Sequence, residues 1–300
     1  MQPRMAGYYK IEAVRLDGTK RLLADWFPNL ILDAGLNRWG TGAIISHCQV
    51  GTGNTAPANT DTALVTYVAG SSTQQAASVG AQGTAPYYGF RQITFRFATG
   101  VATGTLAEVG VGWAISGSLF SRALILDGGG SPTTITVLAD ETLDVTYELR
   151  FYPPLVDVVD TINISGVDYD YTLRAALVTN SLAWALNVAT LITTVSATNY
   201  VAYSGAVGAI TSSPSGTTGS SSSAAAAAYS NNSLQRDFTV TWGLNNGNVS
   251  GGIMSVGFNT SSSDEECGGA YQVEFDPVIP KDATKTLSLS YRVQWARGSI

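Results

Sequence analysis

The sequence predicts a mainly β protein built from two tandem, similar antiparallel β-sandwich domains, each with a short helix. Apolar and polar residues alternate over residues 91–97 and 143–151, as they do in strands with one buried face. The same pair of patterns returns at 236–242 and 287–295, with nearly the same separation between its members. A hydrophobic segment containing glycine lies between the members of each pair, EVGVGW at 108–113 and SVGFNT at 255–260.

Two consecutive prolines, Pro153 and Pro154, follow the first of these copies. Proline cannot donate to a sheet ladder, so this dipeptide ends the last strand of the first copy and begins a linker. We therefore predict one domain over residues 1–153 and a second over 154–300. A chain of 300 residues is long enough for each domain to bury its own core.

Each copy is expected to open with a β-hairpin. Residues 8–26 form the first, with the positive-φ turn at Asp17-Gly18. Residues 160–177 form the second, with its turn at Ser165-Gly166. This agreement in element order extends the repeat from a strand pair to a whole domain.

A short helix is predicted after each hairpin. In the segment 29–42, Asp33 is the candidate N-cap, the helix runs to about Trp39, and Gly40 ends it. In the segment 179–191, Asn180 is the candidate N-cap and Trp184 takes the position of Trp39. Helices of two or three turns need a sheet to pack against.

The remaining segments are interpreted as loops and a third hairpin. Residues 49–64 form a Gly/Thr/Pro/Asn loop without the lysine of a phosphate-binding loop, and residues 70–86 form a long exposed loop. The corresponding loop of the second copy, 204–230, contains the Ser/Ala-rich stretch 212–228, which is disordered, a linker, or ordered only against a neighbouring chain. Residues 119–137 are expected to form a hairpin. The loops that differ between the copies, at 70–86, 204–230 and 261–269, are where partners are expected.

Composition and charge exclude several classes of function. The formal net charge of −6 and the absence of Lys/Arg runs argue against nucleic-acid binding. Charged residues make up 13% of the chain, which favours outer strand faces that carry hydroxyl groups or are covered by other subunits. No apolar segment approaches the roughly 20 residues of a membrane span, and the start lacks the apolar core of a signal peptide. We expect folding in a cytoplasm and no membrane insertion.

The residue types that usually carry catalysis are scarce. His47 is the one histidine, and its neighbour Cys48 should point to the opposite face of a strand, so a nucleophilic pair is not expected. Four clustered ligands for zinc are lacking. Cys48 and Cys267 are expected to be free, buried thiols rather than a bridge between the domains.

Acidic residues offer two further candidates for a site. Asp264, Glu265 and Glu266 are a calcium candidate, but their spacing is not that of an EF-hand, and a solvated loop is the expected state. A glycosidase pair is the second candidate, but carboxylates near strand ends are common, and polarity at edges and turns is the expected explanation. The residues concerned are Asp140, Glu141, Asp157 and Asp160.

Exposed aromatic residues that stack on sugars are the remaining candidate for a site. Tyr87, Tyr88, Tyr169 and Tyr171 lie in or near loops. Tyr169 and Tyr171 share a strand face, however, so packing in a core or an interface is expected for them. The sequence therefore predicts no catalytic residue, no metal site and no cofactor.

Several segments resemble a family of tailed-bacteriophage structural proteins described as tail, tail-fibre or baseplate-associated proteins. They are NLILDAGLNRWG at 29–40, VGTGNTAPANTDTAL at 50–64, LAEVGVGW at 106–113 and SRALILDGGGSPTTITVLADETLDVTYELRFYPP at 121–154. The resemblance covers about residues 25–154, and the second half joins it only through the internal repeat. It implies a non-enzymatic, oligomeric virion component assembled in the infected cell, and it transfers no functional residues.

We therefore predict a structural subunit of a phage tail or baseplate that joins neighbouring virion proteins and supports host attachment. The alternative is a receptor-binding module that recognises a bacterial surface glycan. A hydrolase of surface polysaccharide depends on the scattered carboxylates alone.

Overall fold

The computed structural model describes residues 2–189, 200–220, 222, 224–258 and 269–298. The prediction of a mainly β protein is confirmed: the described residues form antiparallel sheets and two short helices. The elements up to Pro153 are β1 (Arg4–Val14), β2 (Lys20–Pro28), β3 (Leu30–Ile31), α1 (Asp33–Trp39), β4 (His47–Gly51), β5 (Tyr67–Ser71), β6 (Gln74–Gln82), β7 (Tyr88–Phe97), β8 (Gly104–Leu106), β9 (Glu108–Gly112), β10 (Leu119–Leu124), β11 (Ile135–Val137) and β12 (Thr142–Tyr152). Those after it are β13 (Val158–Ile164), β14 (Val167–Ala176), α2 (Ser181–Trp184), β15 (Tyr200–Tyr203), β16 (Ala224–Ala226), β17 (Gln235–Trp242), β18 (Ile253–Phe258), β19 (Ala270–Ile279), β20 (Leu287–Gln294) and β21 (Ala296–Arg297).

Each half of the chain forms its own sheets in a sandwich-like arrangement. The first half has one sheet in the order β2-β1-β12-β7-β6, a second in the order β3-β10-β9-β4-β5, and the small sheet β11-β8. The second half has the sheets β13-β14-β19-β18-β15 and β16-β17-β20. One described strand pair crosses between the halves, the parallel pairing of β21 with β1.

The two strand pairs that the sequence repeats have the same register. Phe97 lies opposite Leu143 on β7 and β12, as Trp242 lies opposite Leu287 on β17 and β20. Their apolar side chains face the core, and hydroxyl groups form hydrogen bonds on the outer faces. The Oγ1 atoms of Thr94 and Thr146 are 2.9 Å apart. Thr239 Oγ1 and Ser290 Oγ are also 2.9 Å apart. The alternation of each strand therefore defines both which face is buried and which is polar.

Both hairpin turns are where the sequence predicts them. Gly18 has a φ of +83°, and its amide donates to the Arg15 carbonyl. Ser165 and Gly166 have φ values of 54° and 89°, so both central residues of the second turn are left-handed. Two left-handed residues match the twist of an antiparallel hairpin, which explains the tight connection between β13 and β14.

The predicted helix ends are confirmed in part. Gly40 follows α1 as predicted, and the Asn180 side chain caps α2 by accepting from the Leu182 amide at 2.9 Å. The prediction of Asp33 as the N-cap of α1 is wrong. Leu32 takes the N-cap position, and the Asp33 carboxylate instead accepts from Arg297 Nη2 at 2.7 Å. The α2 helix has four residues, fewer than expected, and its Ala183 and Trp184 are buried, so packing stabilises this single turn.

One loop assignment is wrong: residues 70–86 contain the strand β6, which shows no alternation because its residues are mostly exposed or small and its ladder depends on β7. The predicted hairpin at 119–137 is confirmed in part. Leu126 bridges Pro132 and the Thr133 amide donates to the Ile125 carbonyl beside the turn, but the end of the second arm, β11, pairs with β8 instead of β10. The described residues of the Ser/Ala-rich stretch lie against their own chain, since β16 pairs with β17 and Thr218 bridges Tyr203.

The hydrophobic core is continuous between the two halves. Trp184 and Trp295 belong to the same buried cluster as Trp39 and Phe151 of the first half. The Phe151 and Trp184 ring centroids are 5.7 Å apart. A second cluster lies between the two sheets of the second half. The division into folding units at residue 154 stays a prediction.

Candidate interaction site

His47 and Cys48 do not form a nucleophilic pair in this arrangement. Their side chains leave β4 on opposite faces: Cys48 is fully buried and free, whereas His47 is half-buried and bonds the Ser46 hydroxyl at 2.8 Å through Nδ1. Burial raises the pKa of the Cys48 thiol well above its usual range, which suppresses the reactive thiolate. Cys267 lies outside the described residues.

The carboxylates considered for a glycosidase pair are bound by arginines or face solvent. Arg21 holds the buried Glu141 at 2.6 Å, and Arg174 holds Asp157 at 2.5 Å. The hydrogen bonds from these arginines lower the pKa of both carboxyls, whereas a catalytic acid needs a raised pKa. Asp140 and Asp160 are exposed.

Metal binding has no candidate in the part of the chain that the structure describes, where no group of three or more His, Cys, Asp or Glu side chains is placed to hold an ion. The acidic run Asp264, Glu265 and Glu266 falls outside the described residues, so its calcium alternative stays open.

The four tyrosines divide between the core and the surface. Tyr169 is 4% exposed in the second core cluster, and Tyr171 packs against that cluster, so the packing expectation is confirmed for both. Tyr87 is half-buried against the first core. Tyr88 stays partly open on the outer face of β7, where it meets Tyr152 at a centroid distance of 5.2 Å.

Tyr88 belongs to a cluster around Arg150. The Arg150 guanidinium lies 4.0 Å from the Tyr8 ring centroid and 4.6 Å from that of Tyr88, a cation–π contact on two sides. Glu148 accepts from Arg150 Nε at 2.5 Å. Burial raises the pKa of Tyr152 to about 12. The cluster therefore consists of partly exposed tyrosine rings around Arg150, whose positive charge is paired with the Glu148 carboxylate.

A buried ion pair holds the loop between β4 and β5. Glu108 and Arg122, on the neighbouring strands β9 and β10, are 0% and 1% exposed, and Glu108 Oε2 accepts from Arg122 Nε at 2.9 Å. Glu108 also accepts from the amides of Gly53 at 3.0 Å, Val65 at 3.0 Å and Thr66 at 2.8 Å. Both ends of the loop are thus tied to one carboxylate.

Arg122 ties the middle of the same loop. Its Nη2 donates to the Thr55 carbonyl at 2.7 Å, and its Nη1 pairs with Asp61 at 2.5 Å. Asp61 in turn accepts from the Ala58 amide at 2.9 Å. Each charge of the buried pair is therefore compensated by several hydrogen bonds, the condition under which a buried ion pair is tolerated.

Glycine at position 53 permits this close approach. A Cβ added there would lie 2.4 Å from Glu108 Oε1. The two glycines of the GTG sequence at 51–53 are thus explained by their close approach to the Glu108 carboxylate rather than by phosphate binding.

The second half anchors the loop after β15 with charged and neutral side chains: Glu274 accepts from the Val207 amide at 2.9 Å, and Arg174 donates to the Gly208 carbonyl at 3.0 Å. Gln272 faces Gly257 across β19 and β18, as Arg122 faces Gly110 across β10 and β9. The buried Gln272 accepts from the Gly208 amide at 2.7 Å and donates to the Ala209 carbonyl at 3.1 Å. The two halves therefore share one arrangement. In each, a buried polar side chain on equivalent strands, β10 and β19, forms hydrogen bonds with a loop.

The end of the anchored loop and β5 together present an apolar surface. Its exposed side chains are Val65 of the loop at 53%, Tyr67 and Val68 of β5 at 43% and 38%, and Ile115 of the neighbouring turn at 49%. Gly70 allows the Ile115 carbonyl to approach, since a Cβ there would lie 2.1 Å from that oxygen. A rigid loop with an exposed apolar edge is the kind of surface that binds another protein.

The sequence interpretation missed Glu108 and Arg122. The available signal was an isolated charge within each of two apolar strands, EVGVGW and LFSRALIL. Charged residues are almost never fully buried unless paired, so two such strands could have been predicted to be neighbours.

Comparisons of the chain with protein-family models, with curated proteins and with solved structures found no match. The resemblance to tailed-phage proteins therefore stays a prediction. Within the described residues, no helix has the length and apolar character needed to cross a membrane.

Proposed function

We propose that the chain is a non-enzymatic structural subunit of a bacteriophage tail or baseplate, which joins neighbouring virion proteins and supports host attachment. Its partners are other virion proteins and further copies of itself, and it is assembled in the host cytoplasm. The single observation that supports this most is the loop between β4 and β5, fixed by the Glu108–Arg122 pair and open to solvent along an apolar edge.

The chemistry of the described residues supports a scaffold role. Three of the carboxylates discussed above are engaged in ion pairs: Glu141 with Arg21, Asp157 with Arg174, and Glu108 with Arg122. These pairs connect loops and strand ends, and their carboxylates are bound by arginine rather than free for acid–base chemistry. A rigid presentation of loops lowers the entropy cost of binding a partner.

Mass spectrometry of purified phage particles whose genome encodes the chain tests this proposal. We expect the chain in intact particles at a fixed ratio to other tail proteins, and its loss from tail-less heads. Particles that attach and infect normally and contain none of the chain would overturn the proposal.

The alternative, a module that binds a bacterial surface glycan, is favoured by the Arg150 cluster. Tyr8, Tyr88 and Tyr152 place three partly exposed aromatic rings together on one outer sheet face, and sugars stack on aromatic rings. A glycan array probed with the wild type and with Tyr88→Ala tests this function, with Tyr67→Ala as a control at another exposed tyrosine. Binding that Tyr88→Ala abolishes and Tyr67→Ala retains would support the alternative, and no binding by the wild type would remove it.

A further inference from the structure

The strand β6 forms an open edge of the first sheet. It spans Gln74–Gln82 and contains no charged residue and no proline. Among the described strands it pairs with β7 alone, so its other edge carries backbone N–H and C=O groups without a strand partner. Gln74–Ser78 are exposed, so no other described residues cover this stretch.

Other edges in the described part of the chain are protected. The edge strand β2 carries Lys20, Arg21 and Asp25 and two register shifts. The edge strands β13 and β20 carry Asp160 and Arg292. The edge strands β3, β5, β15 and β16 have five residues or fewer. Charges, bulges and short length are the usual protection against edge-to-edge pairing, and β6 has one irregularity, near Gln74.

The sequence of β6 is compatible with a second copy of itself. Read in both directions from Ser78, QQAASVGAQ places Ala77 against Val79, Ala76 against Gly80, Gln75 against Ala81 and Gln74 against Gln82. An antiparallel pair of identical strands with its two-fold axis at Ser78 therefore brings small or apolar residues together in the middle and uncharged amides towards the ends. Like charges directly opposite each other would destabilise such a pair, and none meet here.

We propose that β6 pairs antiparallel with β6 of a second copy of this chain, joining two sheets across a two-fold axis. The same surface patch serves both partners, as a two-fold interface requires. This inference deepens the homo-oligomer part of the proposed function, but it does not depend on where the chain works. Dimerisation without a place in virions would overturn the virion proposal and leave this one intact.

The interface is expected to be small. Alanine, serine and glycine side chains bury little area, so the strand pair falls below the roughly 1,200–2,000 Å² of a standard interface. The Phe90 ring adds apolar surface next to it, since a Cβ at Gly80 would lie 2.2 Å from Phe90 Cζ. We therefore expect a dimer that depends on concentration and that is strengthened in an assembly by further contacts.

Sedimentation velocity over a range of protein concentrations tests the pairing. Ser78→Lys and Ser78→Glu each place like charges opposite each other at the axis, and each should weaken self-association by about tenfold or more. An equimolar mixture of the two variants should recover a dimer, because opposite charges then meet. Val159→Lys is the matched control, an exposed position on the edge strand β13, and should leave association unchanged.

Oxidation of Ser78→Cys gives a second readout that does not depend on a change in affinity. Cβ atoms opposite each other in an antiparallel pair are about 4.5–5.5 Å apart, and small adjustments bring them within disulfide reach. A cross-linked dimer that forms faster than with Val159→Cys supports the pairing. A monomeric wild type at every concentration, or a dimer insensitive to both Ser78 charges, would overturn it.

Discussion

The rings of Trp39 and Trp295 meet edge to face, with centroids 5.0 Å apart and planes at 71°. Trp295 also donates from Nε1 to the Leu36 carbonyl at 2.9 Å. It follows β20 directly and precedes β21, which pairs with β1. The end of the second half thus completes the core of the first half, while the second half keeps its own cluster between its two sheets.

Trp295→Ala should destabilise the protein by about 3–5 kcal/mol, because it leaves a cavity between α1 and the sheet and removes a buried hydrogen bond. Chemical denaturation followed by circular dichroism measures the loss. Trp26→Ala is the control, since Trp26 is 41% exposed on β2, and it should cost far less. Equal effects of the two substitutions would contradict the shared core.

Arg122→Met should cost about 3–5 kcal/mol, because Glu108 is then left buried without its counter-ion. Hydrogen exchange should also accelerate at the amides of Val65 and Thr66, which Glu108 holds. Arg292→Met breaks the exposed pair with Asp237 and should cost far less, because solvent screens exposed ion pairs. An unchanged exchange rate in Arg122→Met would show that the pair does not fix the loop.

Glu141 should make folding stability depend on acidity. Its hydrogen bonds from Arg21 hold the pKa of the carboxyl below its usual range in the folded protein. The stabilisation is therefore complete above the unfolded pKa of about 4.3 and is lost as the pH falls through the lower folded value. Glu141→Gln and Arg21→Met should both flatten the decline in unfolding free energy below about pH 4.5. A slope equal to the wild type in both variants would contradict this coupling.

The Cys48 thiol should resist alkylation in the native protein. It is fully buried, and burial raises its pKa. Peptide mass spectrometry after iodoacetamide treatment at pH 8 should find Cys48 unmodified in the folded state and modified in denaturant. Fast native labelling of Cys48 would show that the core between the sheets opens readily.

The sequence predicts those features that local pattern determines. Strand alternation placed Phe97 and Leu143 on one face, and a two-residue turn placed Ser165 and Gly166 in a hairpin. The capping role of Asn180 is equally local, because its side chain bonds an amide two residues ahead.

Features that depend on distant partners could not be predicted in this way. The strand β6 lacks alternation, and its conformation depends on β7. Asp33 carries the signal of a cap, yet its carboxylate pairs with Arg297 from the other end of the chain. The anchoring roles of Glu108 and Arg122 arise only once β9 and β10 are side by side, and alternation alone does not specify that pairing.

A cryo-EM map of intact phage particles whose genome encodes this chain is the sharpest test of the proposed place in a tail or baseplate. We expect density for both halves in the tail or baseplate, with the loop between β4 and β5 in contact with a neighbouring protein. A complete tail and baseplate in which every density is explained by other chains would contradict it.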